Sequence, residues 1–258
     1  MLEWIAHRLR ARRVTTHYPR RPEHPPEGYQ GPIELLDAAD APSDLSQICP
    51  TGAIAVDSHS QLSLDRGRCI LCGACVRAAP DRFAFARRYE TAAHARGALI
   101  LDGTRDEQRI EPAWALADRA RALRRSIHVR HIDTGSDGAE EWEIQALWNP
   151  YYDIQRLGFF LTASPRHADI LLVTGAVTTA LREPLQRTWE VMPEPKALIA
   201  AGTDACSGGL CSATGTTAGG VDAVLGVDVY VPGSPPSPIA LLDGLLLAVG
   251  LLRAQAST

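Results

Sequence analysis

The chain has 258 residues, of which 45% are hydrophobic and 22% charged, and its formal net charge is -4. This size and composition predict a soluble globular protein with room for two compact domains. The weak negative charge and a pI near 6.1 argue against a nucleic-acid partner, because nucleic-acid-binding domains are usually strongly basic. The most apolar run, 239–252, is shorter than a membrane-spanning helix and contains Asp243, so we expect a buried C-terminal helix there.

Residues 1–13 carry apolar side chains at helical spacing, with arginines clustered toward the end of the segment. This pattern predicts an amphipathic basic helix. Such a helix suits an anionic membrane surface or the flank of a partner subunit, although cations at the end of an ordinary helix are also favourable. The proline-rich segment that follows, up to residue 32, predicts an extended strap. Without a long apolar region and cleavage site, we expect no secretory signal.

Four of the six cysteines follow an iron–sulfur pattern. Cys69, Cys72 and Cys75 have C-x2-C-x2-C spacing, and Cys49 is followed by a proline. These are the ligands of a [4Fe-4S] cluster of the bacterial ferredoxin type. A structural zinc ion on the same cysteines is the alternative, but tetrahedral zinc sites more often show two separated C-x2-C pairs. The pattern therefore predicts one [4Fe-4S] cluster, a chemistry that fits a reducing cytosol better than a disulfide framework does.

The positions at which cysteines are absent also support one cluster rather than two. In two-cluster ferredoxins the fourth cysteine of each half ligates the cluster of the other half. Here the region 37–47 lacks the three cysteines of the first half, and Ala79 stands where the second half needs its fourth cysteine. These losses remove all ligands of one cluster and keep all four ligands of the other.

Downstream, short apolar or β-branched runs alternate with helical segments. The predicted strands are 97–101, 127–132, 169–174, 197–201 and 227–231. The predicted helices are 112–124, 177–192 and 238–254. From 127 onward, this alternation predicts a parallel sheet with helices on both faces, and functional residues on the loops at the carboxyl ends of the strands.

Two resemblances to known families follow from longer motifs. The basic helix, the segment 14–19 (VTTHYP) and the segment 29–31 (YQG) resemble the start of the 23 kDa ferredoxin-type subunit of respiratory complex I and of the polyferredoxins of group 4 hydrogenases. In those families the leading helix lies on the cytoplasmic membrane surface. The resemblance therefore favours the membrane-surface interpretation of residues 1–13.

The region 126–252 resembles the 20 kDa subunit of complex I and the small subunits of group 4 [NiFe] hydrogenases, including the formate hydrogenlyase type. The motifs that carry this resemblance are 131–136 (HIDTGS), 149–153 (NPYYD), 164–175 (SPRHADILLVTG), 192–195 (MPEP), 207–209 (SGG) and 228–233 (DVYVPG). The resemblance implies a domain that contacts a large subunit and holds one [4Fe-4S] cluster on four cysteines.

The positions that the resemblance assigns to those four cysteines are Asp137, Glu140, Asp204 and Ser234. Oxygen ligands do not generally replace thiolates on a cubane cluster, so we expect the second cluster to be absent. If the three acids converge, at least one pKa should rise, which would give a proton relay or a site for a hard divalent metal. The alternative is a solvated polar loop. Cys206 and Cys211 could be substitute ligands, a redox pair or small buried thiols, and buried thiols are the default because two cysteines cannot hold a cubane.

Together these observations predict an α+β ferredoxin-like module followed by an α/β flavodoxin-like three-layer domain with a parallel sheet. The expected divisions are a basic helix and strap at 1–32, a one-cluster ferredoxin-type domain at 33–110 and a 20 kDa-like domain at 111–258. We expect a non-catalytic, peripheral electron-transfer subunit on the cytoplasmic face of a membrane. Its expected partners are a hydrogenase-like or complex I 49 kDa-like large subunit and antiporter-like or other membrane subunits. A non-redox scaffold with a structural cluster is the second interpretation, and a free ferredoxin-like carrier is the third.

Overall fold

The computed structural model describes residues 14–19, 21–103, 126–212 and 214–250. The helices predicted at 1–13 and 112–124 lie outside the described residues, as does the end of the helix predicted at 238–254. In the described part of the strap, 14–19 and 21–32, no helix or strand forms, as the prolines predict.

The described N-terminal half is built from short strands, one short α-helix and 3-10 helices at Ser43–Ile48 and Arg96–Leu99. The strands and the α-helix are β1 (Ile33–Leu35), β2 (Ile54–Val56), β3 (Leu62–Asp65), helix α1 (Ala74–Ala78), β4 (Phe83–Phe85) and β5 (Ile100–Leu101). Strand β1 pairs with β4, and β2, β3 and β5 form a second sheet in that order; all the pairs are antiparallel. Both sheets pack around one apolar core that also contains Cys75.

The prediction of a strand at 97–101 is wrong for most of these residues. Residues Arg96–Leu99 form a 3-10 helix, and only Ile100–Leu101 pairs with β3. The helical turn lets the guanidinium of Arg96 donate two hydrogen bonds, of 2.7 and 2.6 Å, to the carboxylate of Asp65. A bidentate pair of this kind is stronger than neutral hydrogen bonds and outweighs the strand tendency of so short a run.

The second half contains a parallel sheet, as predicted, but with five strands rather than the four predicted. Its strands are β6 (Ile127–Asp133), β7 (Phe159–Leu161), β8 (Ile170–Thr174), β9 (Ala197–Ala201) and β10 (Val229–Val231). They lie in the order β10-β9-β8-β6-β7. The helices are α2 (Ala139–Ala146), α3 (Thr179–Glu190), α4 (Thr203–Ser207) and α5 (Pro238–Ala248).

Each face of this sheet is covered by its own layer. Ile170 and Leu172 of β8 pack into the core that contains α2 and α5, whereas Leu171 and Val173 pack into the core on the other face, with α3 and α4. Burial on both faces explains why the strands are continuously apolar. The three-layer α/β arrangement is therefore present, while the ferredoxin-like assignment and the domain boundaries stay predictions.

The predicted C-terminal helix is buried along its whole described length, including Asp243. The hydroxyl of Tyr18, in the strap, donates to Asp243 at 3.2 Å, so the strap is fastened to the second half. Among the residues described, no helix is both long and apolar enough to cross a membrane.

The two halves meet at the carboxyl ends of β9 and β10. Ala93 and Tyr230 exchange two backbone hydrogen bonds, of 2.9 and 2.8 Å. The hydroxyl of Thr203, at the start of α4, donates to the carbonyl of Cys69 at 2.9 Å. The cysteine loop of the N-terminal half therefore lies against the edge of the sheet at which functional residues of parallel sheets are usually found.

Candidate iron–sulfur centre and the adjoining carboxylates

The four cysteines of the predicted cluster line one cavity. Its remaining walls are mostly apolar and include Ile33, Ile54 and Leu64. Four sulfur atoms in an apolar cavity are the donor set that [4Fe-4S] clusters require. The residues present fit this group.

Local backbone geometry turns the cysteine loop around this cavity. Leu71 and Gly73 both have positive φ angles, of 57° and 67°. A β-carbon on Gly73 would approach the ring of Phe85 to 2.9 Å, so glycine is required for the loop to reach α1. On the other side, the backbone N–H of Ala53 donates to the sulfur of Cys49 at 3.2 Å, a type of contact that tunes iron–sulfur sites.

The electrostatics of this cavity disfavour free thiolates. Burial is the main reason why the pKa of Cys69 is raised to about 12, and the neighbouring thiolates of Cys75, Cys49 and Cys72 contribute to the rise. Burial also raises the pKa of Cys75. Iron ions would supply the positive charge that four close thiolates need, because metal binding displaces the thiol protons.

Arg66 lies immediately before the cysteine loop and is only 6% exposed. Its Nε donates to the carbonyl of Ile33 at 3.0 Å, and its own carbonyl accepts from the N–H of Cys69 at 3.2 Å. Burial lowers the pKa of Arg66 to about 9, so the side chain is still charged at neutral pH. Arg66 and Cys69 also line a second cavity, whose far wall is the proline-rich turn that contains Gly233.

Glu140, in the first turn of α2, is 3% exposed. Its carboxylate packs against Gly202, where a β-carbon would come within 2.5 Å of Oε1, and its Oε2 is buried with no hydrogen-bond partner in the described part of the chain. Burial raises the pKa of Glu140 to about 7, with smaller contributions from the charges of Asp204, Asp137 and Glu141. The pKa of Asp204 is also raised, first by burial and then by Asp137.

Four positions were assigned to the ligands of the second cluster. At three of them stand acids, whose charges contribute to the raised pKa values of Glu140 and Asp204. Glu140 is buried, Asp204 is partly buried and Asp137 is at the solvent side, whereas Ser234 is exposed on its turn. The alternative of a solvated polar loop is therefore wrong for Glu140, which is buried. Among all described residues, no three His, Cys, Asp or Glu side chains are grouped closely enough to bind a single metal ion.

Sequence reasoning missed a hydrogen-bonded network beside Glu140. Ser136 Oγ and Thr174 Oγ1 donate to Glu141 at 2.7 and 2.5 Å, and His131 Nε2 lies 2.9 Å from Thr174 Oγ1. Burial lowers the pKa of His131. The sequence could have indicated this network through the positions of its residues. They lie at the carboxyl ends of two neighbouring parallel strands and on the loop that follows.

The two remaining cysteines are separate free thiols. Cys206 is completely buried in α4, with its sulfur 3.6 Å from the carbonyl of Ala200, and burial raises its pKa to about 12. Cys211 is exposed at the end of a 3-10 helix. Cys206 thus has the environment of a small, unreactive buried thiol.

Family profiles of known proteins match both halves of the chain. The family profile described as NADH ubiquinone oxidoreductase, 20 Kd subunit, matches residues 138–248, and that of a 4Fe-4S single cluster domain matches residues 62–124. Formate hydrogenlyase subunit 7 of Escherichia coli is 44% identical over 53% of this chain and 54% of its own length. This chain therefore spans about half of that relative.

Two further relatives extend this result. The probable membrane-bound hydrogenase subunit mbhJ of Pyrococcus furiosus is 39% identical over 57% of this chain and 87% of its own length. A subunit of the NADH-quinone oxidoreductase of Desulfovibrio desulfuricans is 44% identical over 40% of this chain and 56% of its own length. These matches define an iron–sulfur protein of the electron-transport oxidoreductases. The chain belongs to the family of the NADH ubiquinone oxidoreductase 20 Kd subunit.

Proposed function

We propose that this chain is a peripheral electron-transfer subunit of a membrane-bound complex related to group 4 [NiFe] hydrogenases and respiratory complex I. The observation that carries the proposal is the single apolar cavity lined by Cys49, Cys69, Cys72 and Cys75. The names of the relatives, a formate hydrogenlyase subunit and a probable membrane-bound hydrogenase subunit, support the setting.

A bound [4Fe-4S] cluster supplies one-electron transfer at this site. The protein contributes four sulfur ligands and an apolar wall that limits contact with water. The N–H of Ala53 points at the sulfur of Cys49, and the buried cation of Arg66 lies beside Cys69, so both favour additional negative charge. On this proposal the chain is not itself the catalyst of the complex.

The second domain is the docking part of the subunit in this proposal. Trp142 of α2 is 73% exposed and Leu210 is 64% exposed, and both lie in the segments that carry Glu140 and Asp204. Large exposed apolar side chains are enriched where a partner covers them. We place a hydrogenase-like or 49 kDa-like large subunit here, with antiporter-like or other membrane subunits completing the complex. Residues 1–13 would lie on the anionic cytoplasmic face of the membrane.

The second domain also supports an alternative function. Its two cysteines are one buried thiol and one exposed thiol, and acids stand at three of the positions that the resemblance assigns to a second cluster. An electron on the first cluster would then have no sulfur-ligated relay within this domain. A non-redox scaffold, with a structural cluster that couples a large subunit to an ion- or proton-moving membrane arm, fits the same observations.

The test is anaerobic purification of the full chain, followed by iron analysis and EPR spectroscopy after strong reduction. The proposal expects about four irons per chain and a reduced-cluster signal. Cys72→Ala should lose both, whereas Cys211→Ala, which changes an exposed thiol outside the cavity, should keep both. Four irons without a signal under strong reductant would favour the scaffold, and about eight irons would contradict the single cluster.

A further inference from the structure

The buried carboxylate of Glu140 has no role in holding the cluster. It is 3% exposed, and its Oε2 has no hydrogen-bond partner among the residues that the structure describes. An ionised carboxylate left in this state loses hydration without compensation, so burial strongly favours its neutral form. The site is therefore built to hold a proton.

The charged groups that face Glu140 strengthen this preference. Asp204 comes from α4, Asp137 from the loop before α2, and Glu141 from the same helix turn, and each disfavours a further negative charge. The hydrogen bond from the backbone N–H of Glu140 acts in the opposite direction but is outweighed by burial. Asp137 lies on the solvent-exposed side of this acidic group.

A short chain of contacts joins Glu140 to the cysteine cavity. The carboxylate packs on Gly202, and the next residue, Thr203, donates its hydroxyl to the carbonyl of Cys69 at 2.9 Å. The same hydroxyl accepts from the N–H of Gly233 at 3.4 Å. Gly202, Thr203 and the carbonyl of Cys69 thus connect the carboxylate to the cysteine loop, and charges connected through buried protein interact more strongly than in water because the dielectric constant is lower.

We propose that Glu140 is a proton-binding site whose occupancy is linked to the redox state of the cluster held by Cys69. This inference rests on the proposed function of the four cysteines. An electron added to the cluster increases the negative charge near Glu140, so reduction favours uptake of one proton from solvent. Oxidation removes that charge and favours release of the proton. Electron and proton therefore enter and leave this subunit together.

The linkage predicts a defined pH dependence. When Glu140 is protonated in both redox states, at low pH, the reduction equilibrium does not depend on pH. Between the two pKa values, reduction becomes less favourable as pH rises, and at high pH the dependence disappears again. A rise of one unit in the pKa of Glu140 on reduction changes the reduction equilibrium constant about tenfold, which is about 59 mV for one electron.

The experiment is an EPR-monitored redox titration of the full chain, loaded with iron anaerobically, at a series of pH values from about 5.5 to 8.5, chosen to bracket the pKa of about 7. Infrared spectroscopy of the same samples detects the carbonyl band of a protonated carboxyl group. Wild type should show an inflection near neutral pH, and Glu140→Gln should remove both the inflection and the band. Glu183→Gln, an exposed carboxylate on α3, is the control and should keep both.

A second variant guards against a fold defect in Glu140→Gln. Asp204→Asn removes one acid that raises the pKa of Glu140, so the inflection should move to lower pH and keep its shape. A loaded wild type with a pH-independent potential, or an inflection that survives Glu140→Gln, would overturn the linkage alone. A chain that takes up no iron would overturn the proposed function and with it the linkage.

Discussion

Two buried sites lie side by side where the halves of this chain join, and they bury different atoms. In the N-terminal half, four sulfurs share an apolar cavity with the cation of Arg66 nearby. In the second half, the carboxylate of Glu140 is buried among acids. Burial raises the pKa of both Cys69 and Glu140, so neither site is stable with all of its groups ionised.

The two sites differ in what neutralises their buried negative charge. Thiolates are soft ligands that bind iron, whereas a buried carboxylate near neutral pH takes a proton when no cation is available. The resemblance assigns ligands of a second cluster to the positions of Glu140 and Asp204, and on our proposal Glu140 binds a proton there instead. The following predictions test this contrast, starting with the largest effect.

The first prediction is that only the N-terminal half depends on metal. Its core is small, so a bound metal should contribute a large share of its stability. Oxidation followed by chelation should raise amide exchange across the two small sheets to nearly unprotected rates. The amides of β8 and β9 should keep most of their protection. Hydrogen-exchange mass spectrometry measures both regions in one sample, and chelator without oxidant is the control; equal loss in both halves would contradict the contrast.

The second prediction concerns the pH dependence of stability. The pKa of Glu140 is about 7 in the folded chain against 4.5 for the ordinary side chain. Below about pH 4.5, Glu140 is protonated in both the folded and the unfolded chain. The stabilisation linked to its raised pKa is therefore fully present there. Between pH 4.5 and 7 the unfolded chain releases the proton first, and wild type should lose about 3 kcal/mol relative to Glu140→Gln. Urea unfolding at pH values across this range measures the difference, and parallel curves for the two proteins would exclude a raised pKa.

The third prediction concerns the cation beside the sulfur site. Removing the charge in Arg66→Gln should make reduction of the cluster about tenfold less favourable, because a buried positive charge stabilises the added electron. Arg66→Lys keeps the charge but loses the guanidinium geometry, so its shift should be smaller. Redox titration of both variants checks the order. A larger shift in the lysine variant would show that hydrogen-bond geometry, rather than charge, controls the site.

Much of this arrangement could be predicted from sequence. Runs such as 169–174 and 197–201 predicted buried parallel strands because they are apolar on both faces. Spacing alone grouped the four cysteines. Strand β7 was missed because three residues at a sheet edge carry too little pattern. The burial of Glu140 depends on the missing β-carbon of Gly202, and the Glu141 network depends on strand register, so both required the folded chain.

The last and smallest prediction concerns the contact that joins the two sites. Thr203 donates to the carbonyl of Cys69 and accepts from the N–H of Gly233, so Thr203→Val loses two hydrogen bonds at nearly constant volume. The expected loss is about 1–2 kcal/mol of unfolding free energy, measured by urea unfolding at pH 7. Thr203→Ser keeps the hydroxyl and should lose less than half of this. If both variants unfold like wild type, the hydroxyl does not stabilise the junction. A junction that is weakened only in the valine variant should also reduce the pH dependence of the cluster potential, because the cysteine loop would no longer be held against the layer that carries Glu140.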